Sequence, residues 1–579
     1  MTSPEAALSQ RVGEAIAAAY GPEHADADPM IRVSAQPQYG DFQANAAMGL
    51  AKRLGRPKES HQVAEEIVAH LDTGDLVASA EVAGPGFVNL TLRDEWLAEA
   101  LTDVAADERL GVAAVAHPER VVIDYSSPNA AKEMHVGHLR STGIGDALSR
   151  VLEFLGHRVI RQNHLGDWGT QFGMLVEDLL ESPGGAQWTE GAEVPPIADL
   201  DQLYRDASTR YREDDAFAQR ARQRVVELQG GDPVTRRVWQ EFIAESKRHC
   251  IELYGRLGVR LTSDDFHPES AYNDDLQPVV AELLEAKIAV VDDGAVCVFV
   301  PGDKSPMIIQ KSDGGYLYAT TDLAAIRYRM RELHGQRVIY VVDARQSHHF
   351  GQLFKVAAMA GWVDEGAHLE HVPFGTVLGE DGRPLRTREG DLIKLADLLD
   401  EAEQRAAAFI REKSGDIDGL DQLAHAVGIG AVKYADLSTQ RIKDYQFRWD
   451  RMLSLDGNCG PYLQYAHARM RSILARAAES GSPPRPSFVL ATPEERAMAL
   501  ALLRFGDVLG EVADSLEPHR LTTYLYEVAT TFTAFYEACP VLRAETDELR
   551  RSRLGLCQVS AGLLRTGLGL LGIESPDRL

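Results

Sequence analysis

The chain has 579 residues, 45% apolar and 25% charged, an ordinary globular composition too long for one core; at ~100–200 residues per domain, roughly three or four domains are expected. A formal net charge of −27 opposes nucleic acid binding over most of the surface. No run reaches the ~18 apolar residues of a membrane span, and residues 1–20 read as an amphipathic helix, so no membrane, no export and a cytoplasmic setting are expected.

Residues 1–115 read as a small α+β unit. The pattern predicts a helix at 5–20, a strand near Ile31–Ala35, helices through Phe42–Leu54 and 61–72, and a strand pair over Val82–Leu92, with Gly111–Pro118 as the linker out. Arg120–Tyr125 (RVVIDY) is a β-branched run followed by polar turn residues and a helical pattern from Met134. Strand, turn and helix in that order open a nucleotide-binding, Rossmann-type parallel sheet. Further strands are predicted at Arg158–Asn163 and Arg337–Asp343. Between them, about 174–310 is acidic and mostly helical, with a strand pair near Ile288–Val300, and reads as an insertion. From Leu392 the periodicity is helical almost to the end, broken at Gly481–Pro486. The expected fold is therefore multidomain α/β: an N-terminal α+β domain (1–115), a Rossmann-type domain with a helical insertion (116–395), a helical connector (396–450) and an all-α bundle (451–579).

Charge is unevenly spread. Residues 451–579 hold 14 arginines, no lysine and 15 acids, so this segment is nearly neutral in an acidic chain. Arginine suits bidentate contact with phosphate, and codon bias is the plain alternative. Cys250, Cys297, Cys459, Cys539 and Cys557 are scattered, with no C-x-x-C pair and no zinc-ligand spacing, so neither a disulfide framework nor structural zinc is expected.

The strongest motif is Asp124–Ser141, DYSSPNAAKEMHVGHLRS. His135-Val136-Gly137-His138 falls at the strand-to-helix turn, where free backbone N–H groups and the helix dipole favour an anion. Two imidazoles on one face can donate to a phosphate, and Gly137 leaves room for a flat base against the backbone. The plain alternative for H-x-G-H is a helix start with two satisfied histidines.

This segment resembles the class I aminoacyl-tRNA synthetases, and S-P-N, Lys132 and HVGHLRST together resemble the arginyl family in particular. The resemblance runs from Gln36 to about Leu542. It implies that ATP, arginine and tRNA(Arg) are the partners, with Mg²⁺ accompanying the triphosphate. The reaction implied is activation of L-arginine to arginyl-adenylate and transfer to the 3′-terminal adenosine of tRNA, the first step itself tRNA-dependent. The family's second signature, KMSKS, corresponds here to Gly382–Gly390 (GRPLRTREG), which lacks its lysines. The resemblance implies that Lys132 supplies the missing charge, with help from Arg386 and Arg388, unless the stretch is a plain solvated hairpin. A catalytically impaired tRNA-binding copy and a copy conferring resistance to an arginine-like inhibitor remain alternatives. A monomer is expected.

Site residues carried over by resemblance follow the same motifs. Asp124 accepts from the substrate guanidinium, as do Tyr318 and Asp322, which are four apart on one helix face in YLYATTDLAAIRYR. Gln346 in VVDARQSHHF is a neutral acceptor, and Ser127 and Asn129 hold the amino acid's α-amino and carboxylate groups. NHLGDWGTQFG (163–173) adds His164 and Gln171, although its composition alone says only a tight turn under a core aromatic.

For tRNA, DGNCGPYLQYAHARMRSIL (456–474) and EPHRLTTYLYEVATTFTAFYEACPVL (517–542) resemble the family's anticodon-binding bundle. Tyr462, Tyr465, Tyr524, Phe532 and Tyr536 recur at helical spacing; most are expected in the core, and one or two, Tyr462 among them, on anticodon bases. Arg469, Arg471 and Arg520 are the phosphate candidates. QPQYGDFQANAAMGLAKRLG (36–55) and GPGFVNL (84–90) resemble the N-terminal add-on domain that touches the tRNA D-loop, with Gln43 and Asn45 as base readers; Gly84, Gly86 and Phe87 are as well explained by turn and core.

Overall fold

The structure is a computed structural model described over residues 3–34, 36–182, 185, 200–386, 392–415, 417–479 and 486–579. Most of the expected break at Gly481–Pro486 lies outside the described residues. The first 106 residues hold the antiparallel sheet β1 (Ile31–Val33), β2 (Phe42–Ala44), β4 (Phe87–Leu92), β3 (Val77–Ala83) in that spatial order, with helices at Pro4–Tyr20, Ala46–Arg53, Ser60–His70 and Asp94–Ala106. The helix expected through Phe42–Leu54 is a strand and then a helix. Phe42, Gln43 and Ala44 pair across to Leu90, Asn89 and Val88, and Asn45 turns the chain into the helix. The strand pair begins earlier than expected, at Val77.

A four-stranded parallel sheet forms the centre: β11 (His368–Phe374), β10 (Arg337–Asp343), β5 (Arg120–Asp124), β6 (Arg158–Gln162). Central strands must be covered on both faces, which explains why Val121, Val122 and Ile123 of β5 are all 0% exposed. The edge strands carry polar residues, and β11 tolerates Pro373. The sequence pattern does not announce β11, because HLEHVPF lacks an apolar run. The chain leaves β5 for β6 through the helix Val136–Phe154, and leaves β10 for β11, on the opposite side, through Ser347–Met359. The crevice between the carboxyl ends of β5 and β10 is thus a topological switch point, where open α/β sheets bind ligands.

Between β6 and β10 come helices at Thr170–Glu181, Leu200–Glu213, Asp215–Gly230, Pro233–Arg256 and Leu276–Glu285, then a small sheet β7 (Ala289–Asp292), β8 (Ala295–Val298), β9 (Met307–Gln310). β9 is a third strand beyond the expected pair. A two-residue parallel pairing joins β12 (Val377–Leu378) to β13 (Tyr445–Gln446). Helices from Leu395–Ser414 to Asp547–Leu570 build the C-terminal part. All five cysteines are buried free thiols.

Polar ties cross these units. Lys433, 2% exposed, donates to the carbonyls of Leu257 and Gly572, both at 2.7 Å, near the fully buried Asp146. Burial pulls Lys433 down to about 8 despite that carboxylate. Arg150 joins Asp146 to the carbonyl of Gly569. Arg496 in the C-terminal part grips Asp41 with two bonds of 2.5 and 2.8 Å and also reaches Asp94 and the Leu92 carbonyl.

Asp41 in turn caps the amide of Leu92. Arg496→Ala should therefore raise hydrogen exchange at Leu92 by roughly tenfold while leaving β5 protected. Unaltered exchange at Leu92 would show that apolar packing alone holds the N-terminal unit.

Candidate functional site

A cavity of about 560 Å³ opens at the switch point. It is lined by Asp124 at the end of β5 and Ser127 and Asn129 beyond it, by His164 after β6, and by Tyr340, Val342 and Gln346 from β10 and the turn beyond. Tyr318, Asp322, Ala325 and Arg329 line it from the helix Tyr318–Arg331. Their spacing of four, three and four residues puts them on one helical face. Gln171 is not among the lining residues; it lies in the first turn of the helix Thr170–Glu181.

The structure corrects the expected use of Asp124. Its carboxylate lies 2.9 Å from the Arg329 guanidinium, both side chains almost wholly buried, and it accepts from Ser127 Oγ at 2.8 Å. That acid is already neutralised from within. Ser127 is committed too, since its Oγ also accepts from the His164 amide, and its own amide donates to Asn163. Ser126 and Ser127 have φ of 71° and 44°, a left-handed pair that non-glycine residues adopt only under restraint. The restraint is visible: the Ser126 amide donates to Ser141 Oγ, and its hydroxyl lies 2.7 Å from that of Tyr254.

Two carboxylates remain for a cation, Asp322 and Glu269. Asp322 touches imidazoles, His349 Nε2 at 2.6 Å and His164 Nε2 at 4.0 Å. Burial holds His164 below the usual imidazole range, so it is neutral at pH 7. Glu269 is pushed up to about 8, first by burial and then by Asp322 and Asp167. No lysine or arginine among the described residues forms an ion pair with either acid. Sequence reasoning missed Glu269, Arg329 and His349. Arg329 was legible, seven residues beyond Asp322 on the same face; Glu269 follows Pro268 in the acidic insertion, and nothing local ties it to the sheet.

The HVGH turn stands beside this crevice as a reciprocal helix cap. His135 Nδ1 accepts from the Gly137 amide at 3.0 Å, and His138 Nδ1 accepts from the His135 amide at 3.1 Å. Each bond leaves Nε2 to carry the ring proton in the neutral tautomer. Burial, and then the neighbouring His135, pull His138 down to about 3. A Cβ at Gly137 would sit 2.7 Å from the His135 ring, so this cap requires glycine.

Strand-like pairing fastens the residues just beyond the second-signature segment to the same turn. The Val136 amide donates to Ile393 and the Leu395 amide to Met134. At its other end, β12 is paired with β13, and Leu385 folds back onto Val377 as an exposed hairpin. Arg386 bridges to Leu392 there, and Arg388 lies outside the described residues. Lys132 is exposed, its ammonium 4.1 Å above the ring of Tyr204 in the insertion. The pairing also ties β13 to the HVGH helix, because Arg140 meets Asp436 at 2.7 Å and the Lys443 carbonyl at 2.9 Å, with Tyr445 beneath it.

The nucleic acid candidates divide. Tyr465 is 40% exposed and lines a cavity of about 630 Å³ with Arg469, Arg471 and Arg476. Arg469 stacks on Tyr536 at 4.4 Å and Arg471 pairs with Asp577. Tyr462 packs half-buried against Tyr526, and Tyr524 and Phe532 are core. Arg520 pairs with Glu511 and Glu517 at the surface. In the N-terminal unit Gln43 is bonded to Asn89, while Asn45 occupies the helix start with no side-chain cap bond.

Comparisons with known proteins agree along the whole chain. Residues 100–449 match the family model of the class I (R) tRNA synthetase catalytic domain, 463–579 that of the DALR anticodon binding domain, and 6–92 that of the arginyl tRNA synthetase N terminal domain. The arginine–tRNA ligase of Thermobifida fusca (strain YX) is 51% identical over all of both chains, and that of Laribacter hongkongensis (strain HLHK9) is 49% identical over 98% of each. The solved arginyl-tRNA synthetase of Plasmodium falciparum superposes with a TM-score of 0.85 at 30% identity, covering 100% of both chains. That of Thermus thermophilus gives 0.83 at 27%, covering 99% of this chain and 100% of its own.

A carboxyl group raised by folding binds its proton more tightly in the folded state, so stability is lost as pH climbs from the ordinary carboxylate range through about 8. Glu269→Gln should therefore raise the Tm of the ligand-free protein by a few degrees at pH 8 and scarcely at pH 5. Equal Tm changes at the two pH values would show that Glu269 ionises normally.

Proposed function

Because the chain belongs to the class I arginyl-tRNA synthetases and is an arginine–tRNA ligase, we propose that the switch-point cavity takes the substrate arginine and the HVGH turn beside it takes ATP. The observation that carries this reading is the pair Asp322 and Glu269, two acids in one partly enclosed cavity whose other carboxylate is already matched by Arg329. A planar cation with five donors fits between them, with Tyr318 at the entrance and Gln346 and Asn129 left for the amino acid's polar head. Asp124 and Ser127 then act by holding Arg329 and the turn rather than by touching the guanidinium.

ATP binds with its phosphates at the helix start, where the Nε2–H groups of His135 and His138 donate to the α-phosphate and Gly137 lies under the adenine. The magnesium ion enters as part of that substrate. The arginine carboxylate attacks the α-phosphorus in line and pyrophosphate leaves. Lys132 leaves the Tyr204 ring to meet the charge moving onto pyrophosphate, with Arg386 and Arg388 adding positive charge. A ribose hydroxyl of the terminal adenosine of tRNA(Arg) then attacks the arginyl carbonyl and AMP departs. Tyr465, Arg469 and Arg471 serve the anticodon, and Gln43 and Asn45 the D-loop. The chain acts as a cytoplasmic monomer in this reading.

Two substitutions test it. Lys132→Ala should slow ATP–pyrophosphate exchange, measured with tRNA present, by about 10²-fold or more while arginine Kd stays within about twofold. Unchanged exchange would move the role to the hairpin arginines. Asp322→Asn should weaken arginine binding by about 2–5 kcal/mol, seen as a raised KM for arginine with the KM for ATP unaltered; a wild-type KM for arginine would take Asp322 out of the pocket.

A further inference from the structure

The segment NHLGDWGTQFG supplies His164 and Gly166 to the cavity wall, while its one acid, Asp167, lies behind that wall. Asp167 is 0% exposed. Its Oδ1 accepts from the Ser270 amide at 2.8 Å and its Oδ2 from the Ser270 hydroxyl at 2.6 Å. The same turn holds the preceding residue: the Glu269 amide donates to the Leu165 carbonyl at 3.0 Å, and the Trp168 amide faces the Glu269 carboxylate. The turn itself is pinned from behind, since Trp239 Nε1 donates to the Asp167 carbonyl at 2.9 Å and the two indoles of Trp168 and Trp239 meet edge to face. Leu165, Asp167 and Trp168 thus grip Glu269 and Ser270 at three points, and Glu269 projects into the cavity.

We propose that Asp167 is a positioning residue for arginine recognition, which sets the Glu269 carboxylate through Ser270 and makes arginine uptake proton-releasing. The inference rests on the reading of the cavity as the arginine site. The groups facing Glu269 are Asp322 on the helix Tyr318–Arg331, with His349 and His164 beside it, the neutralised Asp124–Arg329 pair further in, and Asp167 behind. Burial raises Asp167 to about 6, opposed by Ser270 and Lys247, so at pH 7 it is mostly ionised while Glu269 holds its proton. A bound guanidinium favours the ionised Glu269, so the proton leaves as arginine enters. Affinity then climbs with pH and levels off near 8.

The test is calorimetric titration of L-arginine into the full chain from pH 5.5 to 9, in paired buffers of different ionisation enthalpy. Wild type should release close to one proton per arginine at pH 7, with affinity rising by up to about tenfold per pH unit below the plateau. Asp167→Asn keeps an acceptor for Ser270 but removes the charge that raises Glu269, so the plateau should begin at lower pH than in wild type, a shift that a purely structural role does not produce. Glu269→Gln should bind more weakly and with a flat profile. If Glu269→Gln binds as wild type does, the cavity reading fails and takes the inference with it. If Glu269→Gln is weak and flat but Asp167→Asn reproduces the wild-type profile, the cavity reading stands and the inference is overturned. Should Asp167→Asn fail to fold, Ser270→Ala decides, with arginine affinity several-fold lower at an unaltered KM for ATP in support and unchanged arginine affinity against.

Discussion

Arg329 brings a guanidinium that is 1% exposed to within 2.9 Å of Asp124 at the end of the central strand. A charge at that depth is tolerated only with its partner in place, so the helix Tyr318–Arg331 cannot slide along β5 without stranding two ions. Tyr318 and Asp322 ride on the same helix face. Their position over the crevice is therefore set by an ion pair that is itself not the recognition device. In the cavity an internal guanidinium fixes the architecture and cancels one acid, which leaves Asp322 and Glu269 as the carboxyl groups not matched by a lysine or arginine among the described residues.

The second half of the chemistry is tethered to the first through a single helix. The helix Val136–Phe154 begins at the HVGH cap, is clipped through its first turn to Ile393–Leu395, and through Arg140 to Asp436 and the residues leading into β13. Both ends of the exposed hairpin thus trace back to one rigid element. Gly145 faces Tyr125 so closely that any larger residue would push this helix off the sheet.

Much of this was legible in the sequence, and the exceptions share a physical cause. RVVID and RVIYVVD announce central strands because burial on both faces demands uninterrupted apolar residues. HLEHVPF at the edge and the two-residue pairing of Val377–Leu378 with Tyr445–Gln446 carry no such demand and leave no pattern. Phe42–Leu54 has helical spacing throughout, and only its registry with Leu90–Val88 makes its first residues a strand. In the cavity, residues next to a recognisable motif were found, whereas Glu269 was not, because its place is set by contacts with residues about a hundred positions earlier. Asp124 was read as an acceptor for the substrate's guanidinium, and the structure sets it against the chain's own Arg329.

The bonds under the HVGH helix have a bearing on how the chain is made. Arg150 reaches the carbonyl of Gly569, 419 residues away, and Lys433 needs that of Gly572. Until Gly569 and Gly572 are in place, Arg150 and Lys433 each lack one acceptor, so the catalytic half is locked by a long-range step of folding and not by its own local contacts alone.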